Sequence, residues 1–571
     1  MVLAFDSTLQ KACSSGWISG SVAKERTLSL NSIMSSKIFT IVLWLLSTST
    51  SVSAQKFLSD DPLLVDDDRL VDVGAPLPRG LSDYYDFFQN TFDTPGDLAR
   101  TLALNANTLG EVPDSSWFEN RHGRKRMTID ALVRGPNRGD GPSRDGVWTV
   151  TDGKTEGVTP GFRIRDARGD AYLIKFDPPG NAEMATAAEI ISTKFFFAAG
   201  YNVPENYLVF FQRSDLVVDP QAKVSVGLQR PREMTDSDLD GILSRLEKSP
   251  DGRYRAVASK FLPGSLIGPF KYNGTRSDDP NDVIPHEHRR ELRGLQVLSA
   301  WLNHDDSRDV NTQDTVEMEG GRNYIRHYLI DFGSTLGSGS VSPQKPRAGW
   351  EYLWEPRPVV RRIFTLGLWD SPWIRIKYPD LPSIGRFESK VFDPEKWKPE
   401  YPNPAFLNAL PEDRYWAAKI VMAFTDEDIR AIVRTGGLTD PQAEDYLIDV
   451  LIERRNKIGR RYFNDVLPID HVTIDDGLLK FEHLSSVYGF SPGPSQYTLD
   501  WFRFDNEKDE KTFVHTDLTS KNSGLPLPPV LQKDSSPYFG VEIQHETHKV
   551  SVFMDRSTSL RIVGIERSSN E

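Results

Sequence analysis

Cysteine is almost missing from this sequence. The 571 residues include one, Cys13, so a disulfide framework, a thiolate metal site and a cysteine nucleophile are excluded for everything downstream of it. Positive charge is also in short supply. Lys and Arg number 68 against 81 Asp and Glu, a net charge of −13, and such a chain lacks the basic face of a general nucleic-acid binder. Beyond one short apolar stretch near the N-terminus, no segment approaches the ~20 apolar residues of a membrane span. The histidines of His286-Glu287-His288 lack the i, i+4 spacing of a helical zinc protease, and Gly333-Ser334-Thr335-Leu336-Gly337 is not a Gly-x-Ser-x-Gly nucleophile elbow.

The short apolar stretch reads as a signal peptide. Met34 and Lys37 precede Ile38–Leu46, and a Ser/Thr run follows that ends in Val52-Ser53-Ala54. A small positive region, a core too short to span a bilayer and a small-x-small site are the features of an export signal. The expectation is translation from Met34, with residues 1–33 a gene-model extension, and cleavage near Ala54 to give a periplasmic or secreted protein. Cleavage would remove Cys13, four basic residues (Lys11, Lys24, Arg26, Lys37) and two acidic ones (Asp6, Glu25), taking the net charge from −13 to −15.

At 38% hydrophobic and 26% charged, the remainder has the composition of a globular chain long enough for about three or four domains. Residues 55–146, with Asp-rich and Pro-rich loops, read as an N-terminal extension. From Val147 the pattern turns to strands: 147–150, 162–164 and 171–176, then an alanine-rich helix over 182–199 and a strand at 207–211. This small lobe runs over 147–259, with the charged segment 213–255 expected as an insertion. A helical lobe follows over 260–470, and Lys260-Phe261-Leu262-Pro263-Gly264 is expected as the hinge. Leu292, Leu295, Leu298 and Leu302 mark one face of a helix over 285–303. Segments 315–318 and 324–330 flank Glu319-Gly320-Gly321-Arg322 and read as a hairpin with a glycine turn. Arg454, Arg455, Arg460 and Arg461 read as a solvated face of a helix over 441–463. From 471 the composition becomes strand-like, predicting a β-rich C-terminal domain.

Three polar positions stand out around the hairpin. Asp306 and Asn311 precede it, five residues apart, and Asp331-Phe332-Gly333 follows its second strand, so Asn311 and Asp331 are predicted to converge. Upstream, Lys175 lies within the apolar strand Ala171–Phe176, where a charge is costly without a partner. Glu189, fourteen residues later in the alanine-rich helix, is the preferred partner. Gly153, Gly157 and Gly161 lie between the first two strands, where backbone N–H groups would be available to phosphates, as they would be in an ordinary hairpin loop.

The motifs Ile174-Lys175-Phe176-Asp177-Pro178, Glu189, Trp301-x-Asn303-His304-Asp305-Asp306-x-Arg308-x-x-Asn311-Thr312 and Asp331-Phe332-Gly333-Ser334 together resemble the atypical kinase-like superfamily of HipA-type, CotH-type and lipid kinases. They are closer still to a group of exported bacterial kinase-like proteins. The likeness spans about residues 147–465. The chain departs from eukaryotic protein kinases in lacking the His-Arg-Asp triplet, the GxGxxG loop and the Ala-Pro-Glu motif.

The resemblance implies an α+β, two-lobed protein-kinase-like fold that binds ATP with Mg²⁺ or Mn²⁺. Lys175 would contact the α- and β-phosphates and pair with Glu189, Gly153, Gly157 and Gly161 would line the phosphates, and Asn311 and Asp331 would hold the metal. Asp306 would act as base toward a hydroxyl acceptor on protein, glycan or small molecule. Because extracytoplasmic compartments hold little ATP, two further readings stand beside it: a non-catalytic binding or assembly protein of the cell envelope, and an enzyme transferring AMP on the same fold. A nucleic-acid partner is not expected.

Overall fold

In a computed structural model of the chain, residues 55–154, 161–225, 230–366, 371–520 and 524–569 are described. The expected signal segment, residues 1–33 and Gly157 lie outside them. Residues 55–571 form one compact unit.

The segment 55–146 has little regular structure beyond α1 (Asp83–Phe88), which continues as a π-helical turn Gln89–Asp93, and α2 (Ile129–Arg134). It is an arm laid along the rest of the molecule. Phe57 lies in the C-terminal region, Val73 and Arg79 donate backbone hydrogen bonds to the Asn323 and Ile267 carbonyls, and the Trp117 ring stacks on His327.

Seven strands form the first sheet, in the order β4-β7-β3-β2-β1-β5-β6. They are β1 (Trp148–Lys154), β2 (Gly161–Arg165), β3 (Ala171–Lys175), β4 (Asn206–Phe211), β5 (Leu216–Ser225), β6 (Arg232–Glu233) and β7 (Tyr254–Lys260). Strand periodicity decides which side chains go where. In β2, Phe162 and Ile164 face the core and Arg163 faces out; in β3, Tyr172 and Ile174 face the core, which turns Lys175 to the opposite face. The charged segment 213–255 is built into this sheet. β5 pairs in parallel with β1, and Leu216, Val224 and Leu239, the last from α4 (Asp236–Leu243), share the core with Phe162 and Ile174.

Helix α3 (Met184–Ala199) packs between the lobes. Nearly every residue is buried, because alanines let neighbours approach on all sides. The Asp177 carboxylate accepts hydrogen bonds from the Thr186 amide and hydroxyl (2.8 Å each) and fixes its first turn. Gly200 ends it at φ +122°, where a Cβ would lie 2.3 Å from Phe118.

Residues 260–264 join β7 to β8 (Ser265–Gly268) and so link the two lobes. The second lobe holds the three-stranded sheet β8-β9-β10 and the helices α5 (Arg290–Leu302), α6 (Pro356–Phe364), α7 (Pro411–Ala423), α8 (Asp426–Arg434) and α9 (Pro441–Tyr462). The hairpin β9 (Thr312–Glu319) and β10 (Arg322–Leu329) turns on Gly320 and Gly321, both at positive φ, as a two-residue hairpin demands. The main core includes Leu295, Trp301, Trp416, Leu447 and Leu451, with Ile191 and Phe195 contributed by α3.

Arg454 and Arg455 correct the expectation of a solvated face. Both are buried: Arg454 stacks on Phe392 at 3.7 Å and donates to the Glu388 carbonyl, and Arg455 donates to the Phe424 carbonyl. Strands β11 (Ile469–Asp475) to β18 (Arg561–Ser569) make a three-stranded and a five-stranded sheet around a core of their own. The architecture is α+β and two-lobed, with an N-terminal arm and a β-rich C-terminal region. Among the described residues no helix is long and apolar enough to cross a membrane.

Candidate functional site

Lys175, Glu189 and Asp331 meet. The Lys175 ammonium lies 3.1 Å from Glu189 Oε1 and 2.9 Å from Asp331 Oδ1. Each comes from a different element: Lys175 from the end of β3, Glu189 from the second turn of α3, and Asp331 from just past β10. Burial alone would push the lysine pKa down, but the two carboxylates outweigh it and raise the value, so Lys175 is held as a cation. Asp331 is lowered, chiefly by Lys175. Glu189 is raised, because desolvation of a fully buried carboxylate exceeds what the lysine returns.

Asn206 and Phe332 complete the Glu189 setting. The Asn206 amide nitrogen donates to Glu189 Oε1 at 3.0 Å and to Thr193 Oγ1 at 2.8 Å, and the Phe332 backbone amide also bonds the glutamate. Glu189 Oε2 is buried with no hydrogen-bond partner among the described residues. Sequence reasoning missed Asn206, which sits on edge strand β4 and gives no motif signal.

Asp331 adopts φ +64°, the left-handed region that a non-glycine residue enters at a cost. Its neighbours fix that turn: the Phe332 ring stacks on Phe196 at 4.8 Å, and Gly333 admits Ser340 and Glu189, since a Cβ there would lie 3.0 Å from Ser340 Oγ. Half of the Asp331 side chain remains exposed. It faces a cavity of about 430 Å³ lined also by Gly153, Gly161, Lys175, Ala185 and Val257, a volume within the range of small-molecule sites.

The hairpin brings the second group to the first. Thr312 pairs with Leu329, and the Ile330 amide donates to the Asn311 carbonyl at 3.0 Å, so Asn311 and Asp331 lie at adjoining ends of two paired strands. The Asn311 amide nitrogen donates to the Asp306 carbonyl at 2.7 Å, which leaves its Oδ1 as a neutral oxygen donor. The Asp306 carboxylate is ion-paired with Arg308, whose guanidinium also faces Glu400 at 3.7 Å. Burial pushes the Asp306 carboxyl up to about 7 despite Arg308. Asp305, the neighbour, is buried and accepts from the Gln344 amide at 2.6 Å.

The glycines have packing reasons of their own. Gly153 and Gly161 lie within the paired strands β1 and β2. A Cβ at Gly153 would meet Met234 at 2.8 Å, and one at Gly161 would meet the Ile174 carbonyl at 2.8 Å. Both line the cavity nonetheless. His286 bonds Asp282 at 2.8 Å and the Lys271 carbonyl, and His288 meets Arg293, so that histidine pair is structural.

No group of three or more His, Cys, Asp or Glu side chains is arranged to hold a metal ion among the described residues. A magnesium-type site takes one or two carboxylates from the protein and completes its shell with phosphate oxygens and water. Asp331 and Asn311 offer hard oxygen donors for it.

No protein-family model matches the chain, and no curated protein matches it. Among solved structures it is similar to the Helicobacter pylori proinflammatory kinase CtkA, at 13% identity over 53% of this chain and 94% of that one, with a TM-score of 0.29. It is also similar to a Golgi casein kinase with Mn/ADP bound, at 10% identity over 77% of this chain and 92% of that one, TM-score 0.26. A further structure of the Golgi casein kinase matches at 10% identity over 71% and 95%, TM-score 0.26. At these scores no residue role transfers from those structures to this chain.

Proposed function

We propose that the protein is an exported, metal-dependent phosphotransferase that moves the γ-phosphate of ATP to a hydroxyl acceptor. The observation that carries this reading is the Lys175–Glu189–Asp331 contact at the edge of a ligand-sized cavity. A buried carboxylate holds a lysine as a cation there, beside a half-exposed aspartate, which is an arrangement suited to polyphosphate and a divalent ion together.

Lys175 would meet phosphate oxygens, its orientation fixed by Glu189 and, through Glu189, by Asn206. Asp331 Oδ and Asn311 Oδ1 would hold Mg²⁺ or Mn²⁺, which supplies charge neutralisation on the phosphates when bound. Asp306 would receive the acceptor's proton as the new O–P bond forms and the bond between the γ-phosphorus and its bridging oxygen breaks, releasing ADP. A carboxyl held near pH 7 is a stronger base than an exposed one and suits that task.

The test is thermal denaturation of residues 55–571 with and without ATP and Mg²⁺ or Mn²⁺, beside Asp331→Ala. A ligand at ~100 times its dissociation constant stabilises the native state by about 2.7 kcal/mol. A metal-dependent rise in Tm that Asp331→Ala abolishes is the expected result. A folded wild type that shifts with no nucleotide would overturn the reading and favour a binding protein of the envelope. Labelling from α- and γ-phosphate separately then tells AMP transfer from phosphate transfer.

A further inference from the structure

A second cavity, of about 1250 Å³, shares no lining residue with the one beside Lys175 and Asp331. Its wall is made by the loop 135–141, the C-terminal half of α3, the link between the lobes at 260–263 and the β9–β10 hairpin. Two glycines shape the loop. Gly135, at φ +59°, leaves room for Lys194, whose Cγ would lie 2.9 Å from a Cβ there. Gly141, at φ +83°, does the same for the Tyr207 ring, again at 2.9 Å.

The wall is basic in an acidic chain, with seven Lys and Arg against five Asp and Glu. Four of the seven are ion-paired: Arg121 with Glu119 at 2.7 Å, and Arg168 with Asp166, Lys260 with Asp170 and Arg326 with Glu317 at 3.1 Å each. Arg134, Arg138 and Lys194 have no carboxylate partner among the described residues. Asp140 and Glu205 are the acids of the wall outside ion pairs, and Glu205 accepts from the Arg138 amide at 3.0 Å and from the Tyr207 hydroxyl. Lys194 stands out among the three bases. It is 6% exposed, it donates to the Val133 and Arg134 carbonyls at the end of α2, and burial pushes its pKa down to about 8. An ammonium has three donors, so one remains after the two carbonyls. A buried cation held by neutral groups alone is costly, and an anionic oxygen offsets that cost.

We propose that this cavity binds a small multivalent anion, bearing phosphate or carboxylate groups, and that the bound anion orders the loop 135–141. Lys194, Arg134 and Arg138 supply the opposite charge, and the planar fork of an arginine fits either group with two hydrogen bonds. The loop is tied to the candidate site. The Asn137 side chain donates to the Asn206 carbonyl at 2.8 Å and accepts from the Asn206 amide at 3.1 Å, and the Asn206 side chain donates to Glu189 Oε1 at 3.0 Å. Lys194 itself lies on α3, the helix that carries Glu189. An anion that binds the ordered loop more tightly than the disordered one therefore favours the arrangement in which Asn206 supports Glu189 and its bond to Lys175. The proposal does not depend on phosphate transfer, and its test reads binding and loop order alone.

The experiment is isothermal titration calorimetry of residues 55–571 with inorganic pyrophosphate and, separately, with citrate, without nucleotide or divalent metal. Wild type is expected to bind at least one of them; pyrophosphate alone identifies a phosphate ligand, and citrate alone or both a ligand that carboxylates can supply. Arg134→Ala with Arg138→Ala is expected to weaken that binding about tenfold with Tm unchanged, because both side chains are exposed. Lys194→Met is expected to weaken it as far, and the exposed pair keeps the proposal testable if that variant does not fold. A folded Lys175→Ala, which removes the cation of the other cavity, is expected to bind within about twofold of wild type. On adding the anion that binds, amide hydrogen exchange is expected to slow in 134–141 and in β4. A folded wild type that binds neither anion would overturn the proposal. So would binding that a folded Lys175→Ala abolishes and the double variant leaves unchanged, since the anion would then sit in the other cavity. Binding with unchanged exchange in β4 would overturn the link to Glu189.

Discussion

At the scale of single residues, the site is a problem in keeping charges buried. Glu189 is sealed from water and partnered by Lys175, the Asn206 amide and the Phe332 backbone. Removing any one donor leaves a desolvated carboxylate short of a partner. His304, two residues before Asp306, faces the opposite requirement. It is buried between Phe196 and Phe332, bonds the Ser334 backbone, and burial pushes its pKa down from 6.5 to about 4. Since the folded value lies below the unfolded one, the unfolded chain takes up the extra proton as pH falls between about 6.5 and 4. His304 therefore contributes stability that is full above pH 6.5 and lost through that window. The loss reaches about 3 kcal/mol on a shift of this size. His304→Gln should flatten the dependence of unfolding free energy on pH between 6.5 and 4, read from urea titrations of wild type and variant. An unchanged slope would mean that the imidazole is already charged in the folded protein.

At the scale of elements, close approach of helices decides stability. Gly294 sits in the middle of α5, where glycine costs about 1 kcal/mol of helix propensity relative to alanine. A Cβ at this position would lie 2.7 Å from Trp416 and 3.0 Å from Ala417, both on α7 and both buried. Overpacking a rigid ring costs about 1–3 kcal/mol, so it outweighs the propensity gained. Gly294→Ala is expected to lower stability by about 1 kcal/mol, and Gly294→Val by more, in denaturant titrations; a stabilised Gly294→Ala would show that α5 and α7 can move apart freely.

Elements also show what the sequence could convey. The β9–β10 hairpin was legible because Gly320-Gly321 admits few turns and because the strands on either side pair residue for residue, and it alone predicts that Asn311 and Asp331 converge. The Lys175–Glu189 pair was legible because a lysine in an apolar strand needs a partner. Asn206 was not, since an edge strand seventeen residues from Glu189 offers no periodic clue to a side-chain bond. Segment 213–255 reads as an insertion because charges dominate its composition, and its Leu216, Val224 and Leu239 reach the core. Arg454 carried a signal that its charge obscured. Leu447, Leu451, Arg454 and Ile458 follow one face of α9, and a guanidinium can be buried on that face when Phe387 and Phe392 stack against it.

At the scale of the whole molecule, the N-terminal arm ties the C-terminal sheets to the two lobes. The Phe57 ring packs on Phe553 at 5.1 Å and Phe504 at 5.7 Å. Its space exists because residue 564 is glycine: a Cβ there would lie 2.5 Å from the Phe57 ring. Asn506 clamps the same residue from both sides, accepting from the Phe57 amide and donating to its carbonyl at 2.8 Å each, and Lys56 is ion-paired with Asp509 and Glu566. From this anchor the arm runs on to β10 and β8 in the second lobe. The C-terminal region also meets α7 directly, through Lys419 and Asp470 at 2.6 Å. A contact made by one aromatic ring against a dedicated hollow concentrates its energy. Phe57→Ala removes the ring from a core shared with Phe502, Phe504, Phe553 and Val563, a class of change that costs about 3–5 kcal/mol. That cost falls on the C-terminal sheets and the arm, while the Lys175–Glu189–Asp331 contact lies in the lobes. Phe57→Ala is therefore expected to open the segment around residue 57 and strands β13 (Tyr497–Asp505), β16 (Tyr538–His545) and β17 (His548–Asp555) to amide hydrogen exchange, while protection of α3 stays at the wild-type level. Loss of protection throughout the molecule would instead make the arm a part of the same cooperative unit as the site.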